Sequence, residues 1–154
     1  MGFYQFKQEQ LVNASVPEVW DFISSPANLK EITPDHMGFD ITSEGLPEKM
    51  YPGMIISYKV SPVLGIKMTW VTEIKNVVDQ EFFIDEQRIG PYKMWHHQHR
   101  LEAQGDQTMM YDIITYQPPM GLLGDIANSL FIKSNLNEIF AYRTVAVEKR
   151  FPVK

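Results

Sequence analysis

Pro118-Pro119-Met120-Gly121-Leu122-Leu123-Gly124-Asp125-Ile126 marks the point where one pattern of the chain ends and another begins. Residues 122 to 148 contain no Pro and no Gly except Gly124, and they carry Leu122, Leu123, Ile126, Leu130, Phe131, Leu136, Ile139 and Phe140. This predicts a long C-terminal helix of roughly 24 residues, about 36 Å at 1.5 Å each. Its apolar residues wrap far around the axis, so much of its surface is expected to be covered. From 36 to 118 the period is two, broken by turn residues at Pro52-Gly53, Pro62 to Gly65, Val78-Asp79, Gly90-Pro91 and Gly105-Asp106. That is the signature of an antiparallel meander. Met54, Ile56, Tyr58 and Val60 share one face of a strand, and Ile66, Met68, Trp70 and Ile74 share one face of the next. One face of the sheet is therefore apolar.

Residues 3 to 13 alternate as a first strand, and Ser15-Val16-Pro17-Glu18 then forms a capping box with an early-turn proline. Val16, Val19, Trp20 and Ile23 give the following short helix an apolar face, Ser25-Pro26 restarts a second one, and Thr33-Pro34 stops it. The order is strand, two short helices, six strands, long helix. A curved seven-stranded antiparallel sheet that grips the terminal helix in its concavity satisfies this α+β order with the apolar sheet face covered.

The net charge of −5 and the absence of a basic run argue against a nucleic-acid partner, and the lack of cysteine excludes a thiolate nucleophile, a zinc ribbon and a disulfide framework. No signal-peptide pattern and no run of eighteen apolar residues occurs, so a single cytoplasmic domain spanning 1–154, without integral membrane association, is expected. No nucleotide, hydrolase-elbow or zincin motif is present, and no cofactor is expected.

The segment from Gly90 to Glu102 carries the chemistry. Trp95, His97, His99 and Leu101 share the inward face, while His96, Gln98, Arg100 and Glu102 share the other. If Gly105-Asp106 is a two-residue hairpin turn, Trp95 faces Tyr116, His97 faces Ile114 and His99 faces Asp112. Two imidazoles and a carboxylate then meet in an apolar wall, with Asp112 orienting a His99 ring N–H and the other His99 nitrogen aimed inward. Several roles fit. His99 and Asp112 satisfy each other, with Tyr142 or Arg143 assisting; or they anchor the head group of an apolar ligand; or His97, His99 and Asp112 perform acid–base catalysis. A metal is not expected, because an H-x-H alone marks no open coordination position. The expected ligand pocket exceeds roughly 300 Å³. Tyr58, Trp70, Trp95, His97, Ile114 and Tyr116 are expected to line it, with Leu122, Leu123 and Ile126 at a mouth loosened by Gly121 and Gly124.

The segment Trp20-Asp21-Phe22-Ile23-Ser24-Ser25-Pro26-Ala27-Asn28-Leu29 with Ile32-Thr33-Pro34 resembles the helix pair of START-like proteins of the SRPBCC superfamily, which have the helix-grip fold. Gly90-Pro91-Tyr92, Trp95-His96-His97, His99-Arg100, Tyr111-Asp112, Tyr116, Pro119, Gly121 and Ile139-Phe140-Ala141-Tyr142-Arg143 resemble the bacterial subgroup named after polyketide cyclases, with Leu101 where that subgroup has Phe. The resemblance implies a cavity between sheet and long helix for lipids, sterols, polyketides or other apolar molecules. It leaves three functions open: binding of such a molecule, an enzyme of cyclase, dehydratase or hydrolase type, and a protein interaction module with a vestigial cavity.

Overall fold

The structure, a computed structural model, describes residues 2–61 and 65–153; the turn signal at Pro62 to Leu64 lies outside them. Seven strands form one sheet: β1 (Tyr4–Val12), β2 (Asp40–Ile41), β3 (Ile55–Val60), β4 (Met68–Val78), β5 (Phe82–Ile89), β6 (Met94–Gln104) and β7 (Gln107–Gln117). Their order is β1-β7-β6-β5-β4-β3-β2, and every neighbouring pair is antiparallel. The short helices after β1 carry the chain to the opposite edge, where β2 lies, and the strands from β2 to β7 run back across the sheet until β7 pairs with β1.

Helix α1 (Val16–Ile23) begins where the capping box places it, with the Ser15 backbone N–H donating to Glu18 Oε2 at 2.9 Å. The second short helix is a 3₁₀ helix, Pro26–Lys30, followed by a 3₁₀ turn at Asp35–Met37. The seven residues from Pro26 to Ile32, ahead of the Thr33-Pro34 stop, make a short run that the tighter winding fits.

The C-terminal helical run is interrupted. Helix α2 (Gly121–Ala127) passes through a π segment, Asn128–Ile132, into α3 (Lys133–Arg150). Only one stripe of α3 is buried, Leu136, Phe140 and Val147, at spacings of four and seven residues. Leu136 and Phe140 pack with Val60, Trp70, Ile114 and Tyr116 of the sheet, whereas Val147 packs with α1 residues and Ile74 and Met110. The sheet thus holds α3 along its apolar face.

Two expectations fail here. Leu122, Leu123, Ile126, Leu130 and Phe131 are exposed rather than covered, because α2 is fastened at the β1 edge, where the Gly2 N–H and the Tyr4 hydroxyl donate to Asp125 Oδ1 at 3.2 and 3.0 Å. The π segment also adds residues to its turns, so the face of α2 does not run on into the buried stripe of α3. Ile66 is exposed as well; it precedes β4 and never joins the inward face that Trp70, Thr72 and Ile74 form.

Candidate functional site

The hairpin register is the one expected from a two-residue turn: Trp95 pairs with Tyr116, His97 with Ile114, His99 with Asp112 and Gln104 with Gln107. Gly105 has φ +63°, the left-handed conformation that such a turn requires and that glycine adopts freely. Antiparallel partners share a face, so Asp112 and His99 both point inward, and both are buried.

Between this face and α3 lies a cavity of about 140 Å³. Tyr58, Trp70, Trp95, His97 and His99 line it, as do Asp85, Tyr92, Phe140 and Arg143. The cavity is smaller than the roughly 300 Å³ expected of a small-molecule site. Its aromatic lining accounts for that: Trp70 packs edge-on against Trp95 with ring centroids 5.3 Å apart, and Tyr92 lies 4.8 Å from Trp95. Ile114 and Tyr116 are inward but sealed beneath their neighbours, outside the cavity wall. Leu122, Leu123 and Ile126 do not line the cavity either; they project from α2 into solvent.

The polar wall is richer than a single His–Asp pair. Asp112 Oδ1 accepts from His97 Nε2 at 2.8 Å and from Arg143 Nη1 at 2.9 Å, and it stands 3.2 Å from His99 Nδ1. The inward nitrogen of His99 is not free as expected, because His99 Nε2 donates to Asp85 Oδ2 at 2.7 Å. His97 Nδ1 also faces Asp85 Oδ2, at 3.6 Å. The two imidazoles lie against each other, centroids 3.7 Å apart. Asp85 is the residue that sequence reasoning missed, and β5 brings it in by pairing it with His97. Of the other histidines, His96 turns outward to Glu86 at 3.0 Å, and His36 lies on the surface.

Burial dominates the electrostatics and is opposed by specific partners. It pushes His97 down to about 4, helped by the charge of His99 and countered by Asp112. For His99 burial acts in the same sense, but Asp112 and Asp85 overcome it and raise the pKa. Burial raises the Asp112 carboxyl, yet Arg143 and the two histidines hold it well below the usual range. Asp85 is lowered despite its own burial, chiefly by His99. A buried carboxylate unites two rings and a guanidinium, the arrangement that low dielectric demands of an internal charge.

Two donors of the cavity wall stay unmatched among the described residues. Trp70 Nε1 and Arg143 Nε are buried without a protein acceptor, and both residues line the cavity. Among the described residues no helix is long and apolar enough to cross a membrane.

No family model and no curated protein matches the sequence. Solved structures do. A START superfamily protein from Mycobacterium smegmatis is 12% identical with a TM-score of 0.71, over 97% of each chain. The ginseng major latex-like protein 151 from Panax ginseng is 11% identical with a TM-score of 0.68, covering 98% of this chain and 99% of its own. A protein from Chromobacterium violaceum is 10% identical with a TM-score of 0.73, covering 97% and 99%. Likeness at such identities bears on architecture alone, and with the sheet order and the gripped C-terminal helix it gives this chain a START-like helix-grip fold.

Proposed function

We propose that this single-domain protein binds a small, largely apolar molecule that carries a hydrogen-bond acceptor, held between the sheet and α3. The observation that carries this reading is the pair of unmatched donors, Trp70 Nε1 and Arg143 Nε, in the lining of an otherwise aromatic cavity. A buried donor without an acceptor costs about 1–3 kcal/mol, and a ligand carbonyl or carboxylate removes that cost on binding. The volume of about 140 Å³ suits one aromatic ring or a short chain, since an apolar cavity of roughly 150 Å³ accepts benzene. Sterols and long polyketides need movement of half-buried lining residues such as Leu29, Tyr58 and Trp95. The resemblance to polyketide-cyclase-like proteins and the START-like fold favour an apolar ligand; residues proposed to meet it are Tyr58, Trp70, Trp95, His97 and His99, with Asp112 behind the rings.

Native mass spectrometry of protein purified from its own host identifies any retained molecule. A panel of ring-sized and short-chain carboxylates, ketones and matched hydrocarbons then tests the donors, read by tryptophan fluorescence. Carboxylates and ketones are expected to bind roughly 5- to 150-fold tighter than hydrocarbons of equal size. Equal affinity across the panel, or no binding and no retained molecule, sinks the reading. Turnover of a bound member, lost on replacing His97, His99 or Asp112, moves the assignment to an enzyme of the cyclase or dehydratase type.

A further inference from the structure

We propose that Asp85, His97 and His99 form a binding site for a divalent transition-metal ion of the Zn²⁺ type, with Asp112 orienting both histidines. The proposal stands whether or not the cavity takes an apolar ligand. One ligating atom from each of the three residues lies within 4.8 Å of the others. Bonds of about 2.1 Å at a tetrahedral ion place donor atoms roughly 3.4 Å apart, so shifts on the order of 1 Å close the site. Two imidazole nitrogens and one carboxylate oxygen form a donor set suited to such ions, and three protein ligands leave further coordination positions open.

The surroundings match what a metal-binding histidine needs. Ligating imidazoles almost always give their second ring N–H to a carboxylate or carbonyl, which fixes the tautomer and aims the other nitrogen's lone pair at the ion. Here one oxygen, Asp112 Oδ1, serves both rings from behind, at 2.8 Å from His97 Nε2 and 3.2 Å from His99 Nδ1. Arg143 secures that carboxylate from α3 at 2.9 Å. The front nitrogens, His97 Nδ1 and His99 Nε2, then converge on Asp85 Oδ2.

A closed hydrogen-bond network explains this arrangement less well. His99 has a partner at each nitrogen, but His97 Nδ1 stands 3.6 Å from Asp85 Oδ2, beyond hydrogen-bond reach. An ion between the two rings and Asp85 satisfies that nitrogen, Asp85 offsets part of its double charge directly, and Asp112, already paired with Arg143, acts through the rings and leaves the loaded cluster with a net charge of +1. Asp85, His97 and His99 all line the cavity, so an open coordination position faces it and is available to water or a ligand oxygen.

The chain has four histidines, which permits a test on substitutions outside the cluster. In a H36Q/H96Q double variant, only His97 and His99 are left to supply imidazole. Chelator-treated wild type and double variant are titrated with ZnCl₂ by calorimetry, and the zinc-loaded double variant is examined by X-ray absorption. Both proteins are expected to bind one ion with affinities within about threefold of each other, with two imidazole ligands in the absorption spectrum. Asp112→Asn is expected to weaken binding 10- to 100-fold. Absence of saturable binding at millimolar Zn²⁺, loss of binding in the double variant, or a spectrum with fewer than two imidazoles overturns the site. Unchanged affinity in a folded Asp112→Asn protein overturns the positioning role of Asp112.

Discussion

Replacing Asp112 by Asn isolates what the buried charge contributes. The side chain is almost wholly buried, and its Oδ1 faces three groups: His97 Nε2, His99 Nδ1 and Arg143 Nη1, at 2.8, 3.2 and 2.9 Å. Asn preserves the shape and leaves a neutral carbonyl. Hydrogen bonds to a charged group contribute about 1.5–3 kcal/mol and neutral ones about 0.5–1.5, so each contact loses roughly 1 kcal/mol and the three together about 3. That sum meets the lower end of the 3–5 kcal/mol typical of stranding one member of a buried pair. At 2–4 °C per kcal/mol for a chain of this size, the expected fall in Tm is roughly 6–12 °C. Urea titration at neutral pH, followed by tryptophan fluorescence, should show a lower midpoint with an unchanged slope. Arg143→Met should also destabilise, and the Asp112→Asn/Arg143→Met pair should cost less than the sum by about 1–3 kcal/mol, because both remove one contact. A Tm fall under 2 °C, or simple additivity in the double variant, refutes the view that Asp112 holds the cluster together.

Ile114→Ala should cost about 2–5 kcal/mol by urea titration, since Ile114 is completely buried in the cluster that holds α3 against the sheet. Gly105→Ala should cost about 1–2 kcal/mol through the left-handed backbone alone, as an added Cβ meets no atom within 4 Å, while Gly105→Asn should recover much of the loss. Leu123→Ser and Ile126→Ser should leave stability within about 0.5 kcal/mol by thermal melting, because both side chains are exposed on α2.

The inward face of β6 and β7 was legible because its signals agree. Gly105-Asp106 fixes the turn, alternation fixes the parity, and the register follows to the end of both strands. Asp85 was illegible for the converse reason. Phe82, Phe83 and Ile84 are apolar in succession, so β5 has no visible parity at its start. A two-residue turn at Gly90-Pro91 would set Asp85 opposite His96, on the outer face. The observed register pairs it with His97 instead, and the loop is closed by Gln87, whose side chain donates to the Tyr92 carbonyl at 2.7 Å and accepts from the Tyr92 N–H at 3.1 Å. One residue of register separates an exposed aspartate from a cavity wall.

The same dependence explains why the cavity's extent was beyond sequence reasoning while its polar wall was half visible. Alternation tells which side chains point inward, but it does not tell how rings on different strands pack, and Trp70, Tyr92 and Trp95 occupy space that separate readings left open. Nor does it place helices: Asp125 ties α2 to β1, and so the apolar residues expected at the cavity mouth face solvent. The cluster needs both β-registers at once. Asp85 pairs with His97 across β5 and β6, His99 pairs with Asp112 across β6 and β7, and α3 must be seated for Arg143 to reach Asp112. A slip of one residue at either hairpin would turn a carboxylate away from both rings, so the cluster reports on the packing of three strands and a helix as much as on any ligand.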